Sequence, residues 1–254
     1  MTDEPAGRRL RRFLVTWRDG EEQPSIHDVG CLSFDGAYRF QYLPGARAAP
    51  GFRPLPGLPD LADTYGPAPD LFPVFAGRVM ERTRPDFASY MAALDLPVDA
   101  DDLDVLARSG GVTRGDRLVL TEEPSIGPDG STRSTFLVRG LRFALPEPAL
   151  RERVLAPLHS GDRLTVRPEA ANDISPDALQ VCTADDVAVG WVPDALTHWV
   201  RRVLSSSDGS FLVRRNNGPE HPPHARLLVD VHGHLPPGTV TLPGLGRRAA
   251  EVRA

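Results

Sequence analysis

Lysine is missing altogether: all 29 basic residues of the 254 are arginine. That excludes chemistry that needs a lysine, whether a P-loop lysine, an ATP-pairing kinase lysine or a Schiff base. Arginine cannot substitute as the nucleophile, because it stays protonated. The plain cause is a GC-rich genome, which favours Arg, Ala and Pro codons. Cysteine is scarce too. Cys31 and Cys182 alone cannot build a disulfide framework or a thiolate zinc site. They fall in strand patterns and read as buried apolar residues. No apolar run is long enough to cross a membrane, and the Arg-rich N-terminus has no apolar core for a signal peptide. A reduced, cytoplasmic protein is the expectation. Gly-x-Ser-x-Gly does not occur, so no nucleophile elbow is expected. Asp99, Asp101, Asp102 and Asp104 lack the Gly and Glu of a calcium loop and read as a solvated helix start.

What is present is 41% hydrophobic, 25% charged and globular in composition. Net charge is uneven. Residues 1–130 hold 14 Arg against 21 acids, or −7, and residues 131–254 hold 15 Arg against 13 acids, or +2. The second half is the better candidate for an anionic partner.

Along the chain, the first dozen residues read as a polar arm and 13–17 as a strand. Residues 31–43 form a hairpin about Asp35-Gly36, with Tyr38, Phe40 and Tyr42 alternating against Arg39 and Gln41. Residues 44–73 are so punctuated by Pro and Gly that they read as an extended surface wrap. Helices are expected over 85–94 and 101–108, the second ended by Gly110-Gly111, and a strand over 117–121. Strands then read over 135–139, 163–167, 178–183, 187–192, 211–215 and 225–231, with helices over 147–158 and 194–204. The fold class expected is α+β, mostly β: a small α+β domain over 1–124, a linker over 125–134, and a small β-barrel with C-terminal strands over 135–254.

Four pieces of the second half share an order and spacing. They are Phe136-Leu-Val-Arg-Gly-Leu-Arg-Phe143, Gly161-Asp-Arg-Leu-Thr-Val166, the loop 169–178 around Asn172, and Gly190-Trp-Val-Pro193. Through them residues 136–204 resemble a HIRAN domain. The resemblance implies a small barrel related to the OB-fold, found beside helicase and nuclease modules and alone in bacteria, in a DNA-repair context. One family member captures the free 3′ end of single-stranded DNA. It also implies site residues: Arg142 as a forked donor to phosphate, Phe143 as a stacking face, and Asn172 beside the terminal nucleotide. The family loop continues Asn-Pro-Tyr-Asp-Pro-Asn-Ala, whereas this chain has Asn172-Asp173-Ile174-Ser175-Pro176-Asp177-Ala178. Ile174 cannot stack, Ser175 bonds a hydroxyl more weakly than aspartate, and Asp173 repels phosphate. These changes favour generic single-strand binding over end capture.

Residues 13–121 resemble, more faintly, the N-terminal subdomain of HipA-type toxins. The pieces are Val29-Gly-Cys-Leu32, Phe40-Gln-Tyr42, Leu71-Phe-Pro-Val-Phe75 with Arg78, and the pattern from Leu106 to Leu118. The kinase core of that family is absent. The expected function is therefore nucleic-acid binding, to single-stranded or 3′-end-bearing DNA, without catalysis, cofactor or metal. The alternative is a toxin/antitoxin-related protein-interaction or scaffold module that meets its partner through the acidic first half. His221, His224, His232 and His234 lie within fourteen residues, but their spacing is a weak metal pattern. Arg201-Arg202 and Arg214-Arg215 with Arg163 and Arg167 form a candidate phosphate stripe, although adjacent strand residues face opposite ways. Trp191 and Trp199 read as core or half-core aromatics, with stacking on a base as the alternative.

Overall fold

The computed structural model describes residues 10–20, 25–113, 117–169, 172 and 175–246. The arm expected over the first dozen residues is shorter than that. Arg11 and Arg12 already pair in strand β1 (Arg11–Arg18), and residues 1–9 lie outside the described residues. β1 joins β2 (Ile26–Phe34), which turns at Asp35-Gly36 into β3 (Tyr38–Tyr42) with Phe34 opposite Tyr38, as the turn residues predicted.

The Pro-rich stretch is more regular than expected. Pro44 opens helix α1 (Pro44–Ala48), where a first-turn residue needs no N–H donor. Residues Thr64–Ala68 form β4, which pairs with β3 at the sheet edge, the one place a strand tolerates Pro67. Between them the Tyr42 hydroxyl donates to Leu58 O at 2.8 Å and accepts from Leu55 N at 2.6 Å, stapling the wrap to the sheet.

Helix α2 (Pro73–Ala76) and α3 (Phe87–Ala93) follow. Then comes α4 (Asp102–Ser109), whose start is capped by Asp101 accepting from Asp104 N and whose end is Gly110 at φ +72°. Strand β5 (Leu118–Glu122) completes an antiparallel sheet of order β4-β3-β2-β1-β5.

Residues 125–134 hold a tight turn. Gly127 N donates to Ser131 O, and Asp129 accepts from both the backbone and hydroxyl of Ser131. Strand β6 starts within this stretch, at Ser131–Leu137. Helices α5 (Leu141–Ala144) and α6 (Pro148–Leu155) precede β7 (Thr165–Pro168), β8 (Leu179–Cys182) and β9 (Ala188–Trp191), which form a three-stranded sheet. Helix α7 (Thr197–Leu204) leads to β10 (Ser210–Asn216) and β11 (Leu227–His234), which form a sheet of order β10-β11-β6. Helix α8 (Pro243–Gly246) ends the described chain.

The architecture is mixed and mostly β, as expected, but the barrel is not closed. The second half holds two separate three-stranded antiparallel sheets, linked by single bridges from Arg139 to Trp191 and from Arg163 to Leu212. Gly140 and Gly161, both at positive φ, turn the chain close to these points and break the ladders that closure requires.

The period-2 alternation of β1 divides its apolar side chains between two cores. Phe13 and Val15 pack with Leu32, Phe40, Phe75 and Leu106 on one face. Leu14 and Cys31 point the other way, into a core with Phe136, Leu179, Trp199, Phe211 and Val229. The first sheet is therefore buried on both faces, and the second half covers one of them. A third cluster fastens Met91, Leu94 and Val105 to Leu137 and Leu228.

Candidate functional site

Two glycines and one tryptophan shape a cleft of about 480 Å³ where the first sheet meets the second half. After β6 the backbone of Arg139 exchanges two hydrogen bonds with that of Trp191, both 2.9 Å. Gly140 turns there at φ +67°, and a Cβ at this position would run into the Trp191 ring. Gly190, at φ +149°, lets the strand approach Arg139 O and Val138 equally closely. The Arg139-Gly140 and Gly190-Trp191 pairs thus interlock, and α5 projects Phe143 outward at 66% exposure.

The loop after β7 is folded about one carboxylate. Glu169 accepts from Trp191 Nε1 at 2.7 Å, from Asn172 Nδ2 at 2.5 Å and from Gln180 Nε2 at 2.6 Å. Asn172 Oδ1 in turn accepts from Ser175 N at 3.0 Å. Trp191 is thereby locked in orientation, with one face toward the cleft.

The predicted site residues fall as follows. Phe143 and Asn172 both line the cleft, and Ser175 lies beside them. Both ends of the Asn172 amide are engaged within the loop, so its part is to hold the loop's shape. Arg142 is exposed outside the lining, its guanidinium 4.6 Å from the centre of the Phe143 ring. Asp173 and Ile174, two of the departures from the family loop, lie outside the described residues.

The sequence did not mark the other important residues. Of the two tryptophans read as core or half-core, Trp191 is half-buried and lines the cleft, whereas Trp199 is fully buried and donates to Thr132 Oγ1. Arg139 forms part of the wall, donates to Ser109 O at 3.3 Å and has no carboxylate partner among the described residues. Burial lowers its guanidinium pKa to about 10, which still leaves it cationic at neutral pH. Arg18 and Arg117 reach the same cleft from the first sheet, with their backbones joined by Arg18 N donating to Arg117 O. Asp194 is the acid among the lining residues. The signal for Arg139 and Trp191 was their place in the motifs Phe136–Phe143 and Gly190–Pro193. Nothing local marks Arg18, more than 120 residues away in sequence from Trp191.

The other candidates disperse. Arg167 binds Asp186 and Gln180, Arg214 binds Asp95, and Arg201 donates to Asp177 O, so they do not make one stripe. His232 and His234 each face a carboxylate, Asp230 and Asp208 respectively. Cys31 and Cys182 are buried as expected, and burial raises both thiols. Among the described residues, no helix is long and apolar enough to cross a membrane.

The cleft offers two aromatic faces, an apolar floor including Ile26, Val119 and Val192, and three arginines. Its volume suits a small ligand. Residues 106–235, just over half the chain, match the HIRAN domain family. That match opens at the end of α4, thirty residues before the stretch on which the resemblance was read. A crystal structure of the HIRAN domain of human HLTF is similar at 14% identity, over 41% of this chain and 74% of that one, with a TM-score of 0.27. No curated protein matches. The likeness of residues 13–121 to HipA-type proteins stays an expectation from sequence.

Proposed function

This chain belongs to the HIRAN domain family, a family of DNA-binding modules, and from that premise we propose that its cleft binds single-stranded or end-bearing DNA. The binding recruits or positions the DNA, and the module performs no reaction of its own. The observation that carries the reading is that Trp191 and Phe143 share one cleft with Arg139, Arg18 and Arg117. Bases stack on aromatic faces with little regard to sequence, and guanidinium groups take the backbone phosphates. Ser175 stands where the family carries an aspartate. A hydroxyl is a weaker partner for a terminal 3′-OH than a carboxylate, so preference for a free end is expected to be small.

Fluorescence anisotropy of labelled single-stranded DNA tests this, with the 3′ end free or blocked by phosphate. Trp191→Ala is expected to weaken binding by about 1–3 kcal/mol, the usual worth of one stacked base. Unchanged affinity in Trp191→Ala and Phe143→Ala would remove the cleft from consideration. Equal binding of both oligonucleotides leaves a generic single-strand surface. No binding at low salt overturns the reading and points to a protein partner.

A further inference from the structure

A second cleft of about 450 Å³ shares Arg139 with the first. Five arginines line it: Arg11, Arg108, Arg133, Arg139 and Arg214. Three are neutralised. Arg11 binds Glu122 at 2.7 Å and Asp104 at 3.0 Å, Arg133 binds Asp230 at 2.7 Å, and Arg214 binds Asp95 at 2.6 Å. Arg108 and Arg139 have no carboxylate partner among the described residues. Arg108 Nη1 is buried and makes no hydrogen bond at all. Burial lowers both guanidinium pKa values; at Arg108 the attraction of Asp95 and Asp230 works against burial, and the repulsion of Arg214 and Arg133 works with it.

The neighbourhood offsets this only in part. Arg108 sits in the last turn of α4, and Arg139 takes the Ser109 carbonyl there. A helix C-terminus supplies about half a negative charge, and Asp95 and Asp230 act on Arg108 while already paired to Arg214 and Arg133, against two cations. Half-buried cations without a carboxylate partner of their own are costly, so a site that keeps two of them is built for an anion that arrives from outside. Guanidinium forks match phosphoryl oxygens two at a time.

We propose that this second cleft is a phosphate-binding site in which Arg108 and Arg139 hold one phosphoryl group. The phosphoryl group comes either from a strand seated in the first cleft or from a free phosphate ester.

The first test uses inorganic phosphate without DNA, so its failure is distinguishable from failure of the DNA reading. Phosphorus NMR line broadening and thermal melting of the full chain are followed against phosphate, with chloride at equal ionic strength as the control. Phosphate is expected to broaden and to stabilise the wild type. Arg108→Met is expected to lose about tenfold or more in phosphate affinity. Without ligand it should melt no lower than wild type, because it removes an unpaired charge. Chloride matching phosphate, or Arg108→Met keeping the wild-type response, would overturn the proposal. Should Arg108→Met not fold, the wild-type phosphorus titration decides alone. A second titration adds an oligonucleotide: a lower oligonucleotide affinity in Arg108→Met identifies a strand as the source, and an unchanged one identifies a free ester.

Discussion

Gly140 shows how much one hydrogen atom decides here. The residue turns at φ +67°, where a side chain is strained, and its missing Cβ is the space occupied by the Trp191 ring. Gly140→Ala is expected to cost about 2 kcal/mol or more in urea unfolding, from backbone strain and overpacking together. It should also weaken single-strand binding, because the ring must move. Glu169 is the second such residue. It collects three donors that orient Trp191, Asn172 and Gln180. Glu169→Gln sets an amide N–H₂ against those donors and is expected to destabilise by about 1–3 kcal/mol. Its effect on DNA affinity should exceed that of Asn172→Ala, which leaves the Trp191–Glu169 bond in place. A ranking with Asn172→Ala as the more damaging change would return the asparagine to direct contact with the nucleotide. The sequence resemblance brought Phe143 and Asn172 forward because both lie within the motifs. Glu169 went unremarked because its role is visible only once the loop has closed on it.

The elements were legible where their pattern was local. The Asp35-Gly36 hairpin, the capped helix α4 and the apolar face of α7 all follow from neighbours a few residues apart. Helix α1 and strand β4 were missed because Pro and Gly density was read as excluding regular structure. Pro44 at a helix start and Pro67 on an edge strand are the two settings in which proline's missing donor costs nothing. Docking of whole elements depends on pairs that no local pattern reveals. Helix α6 is fixed to the approach of β11 by Arg226, only 3% exposed, which grips Glu152 through both terminal nitrogens at 2.5 and 3.0 Å. That hydrogen bonding holds the Glu152 carboxyl below its ordinary range. A carboxylate lowered in the folded state stabilises above its unfolded pKa of about 4.3, and this contribution is lost as pH falls through the folded value. Glu152→Gln should therefore lower neutral-pH stability by about 1–2 kcal/mol, since Glu152 is partly exposed, and should flatten acid unfolding below about pH 4.3. Parallel acid-unfolding curves for variant and wild type would show that the pair contributes nothing.

For the molecule as a whole, the first sheet is part of the second half's core as well as of its own. Leu14, Cys31 and Leu43 pack among side chains that follow residue 130. A fragment of residues 125–254 uncovers that apolar face and also loses Arg18 and Arg117. It is expected to melt well below the full chain, to bind hydrophobic dyes and to hold DNA more weakly; a fragment with wild-type melting would show that the face is dispensable. Long-range salt dependence belongs to this scale too. Three arginines at one cleft predict a slope of log affinity on log salt near −2, at about −0.7 per neutralised phosphate of a single strand. Arg18→Ala should bring that slope closer to zero by about 0.7. These long-range relations escaped the sequence because Arg18 and Arg117 lie in the first half of the chain, far in sequence from Arg139, Phe143 and Trp191 in the second. Arg139 has a further consequence, because its guanidinium forms part of the wall of both clefts. A guanidinium has five N–H donors, and an occupant of one cleft draws on the same donors as an occupant of the other. Occupation of the two clefts is then thermodynamically linked, and linkage is mutual: whatever factor one ligand imposes on the other's dissociation constant is returned unchanged.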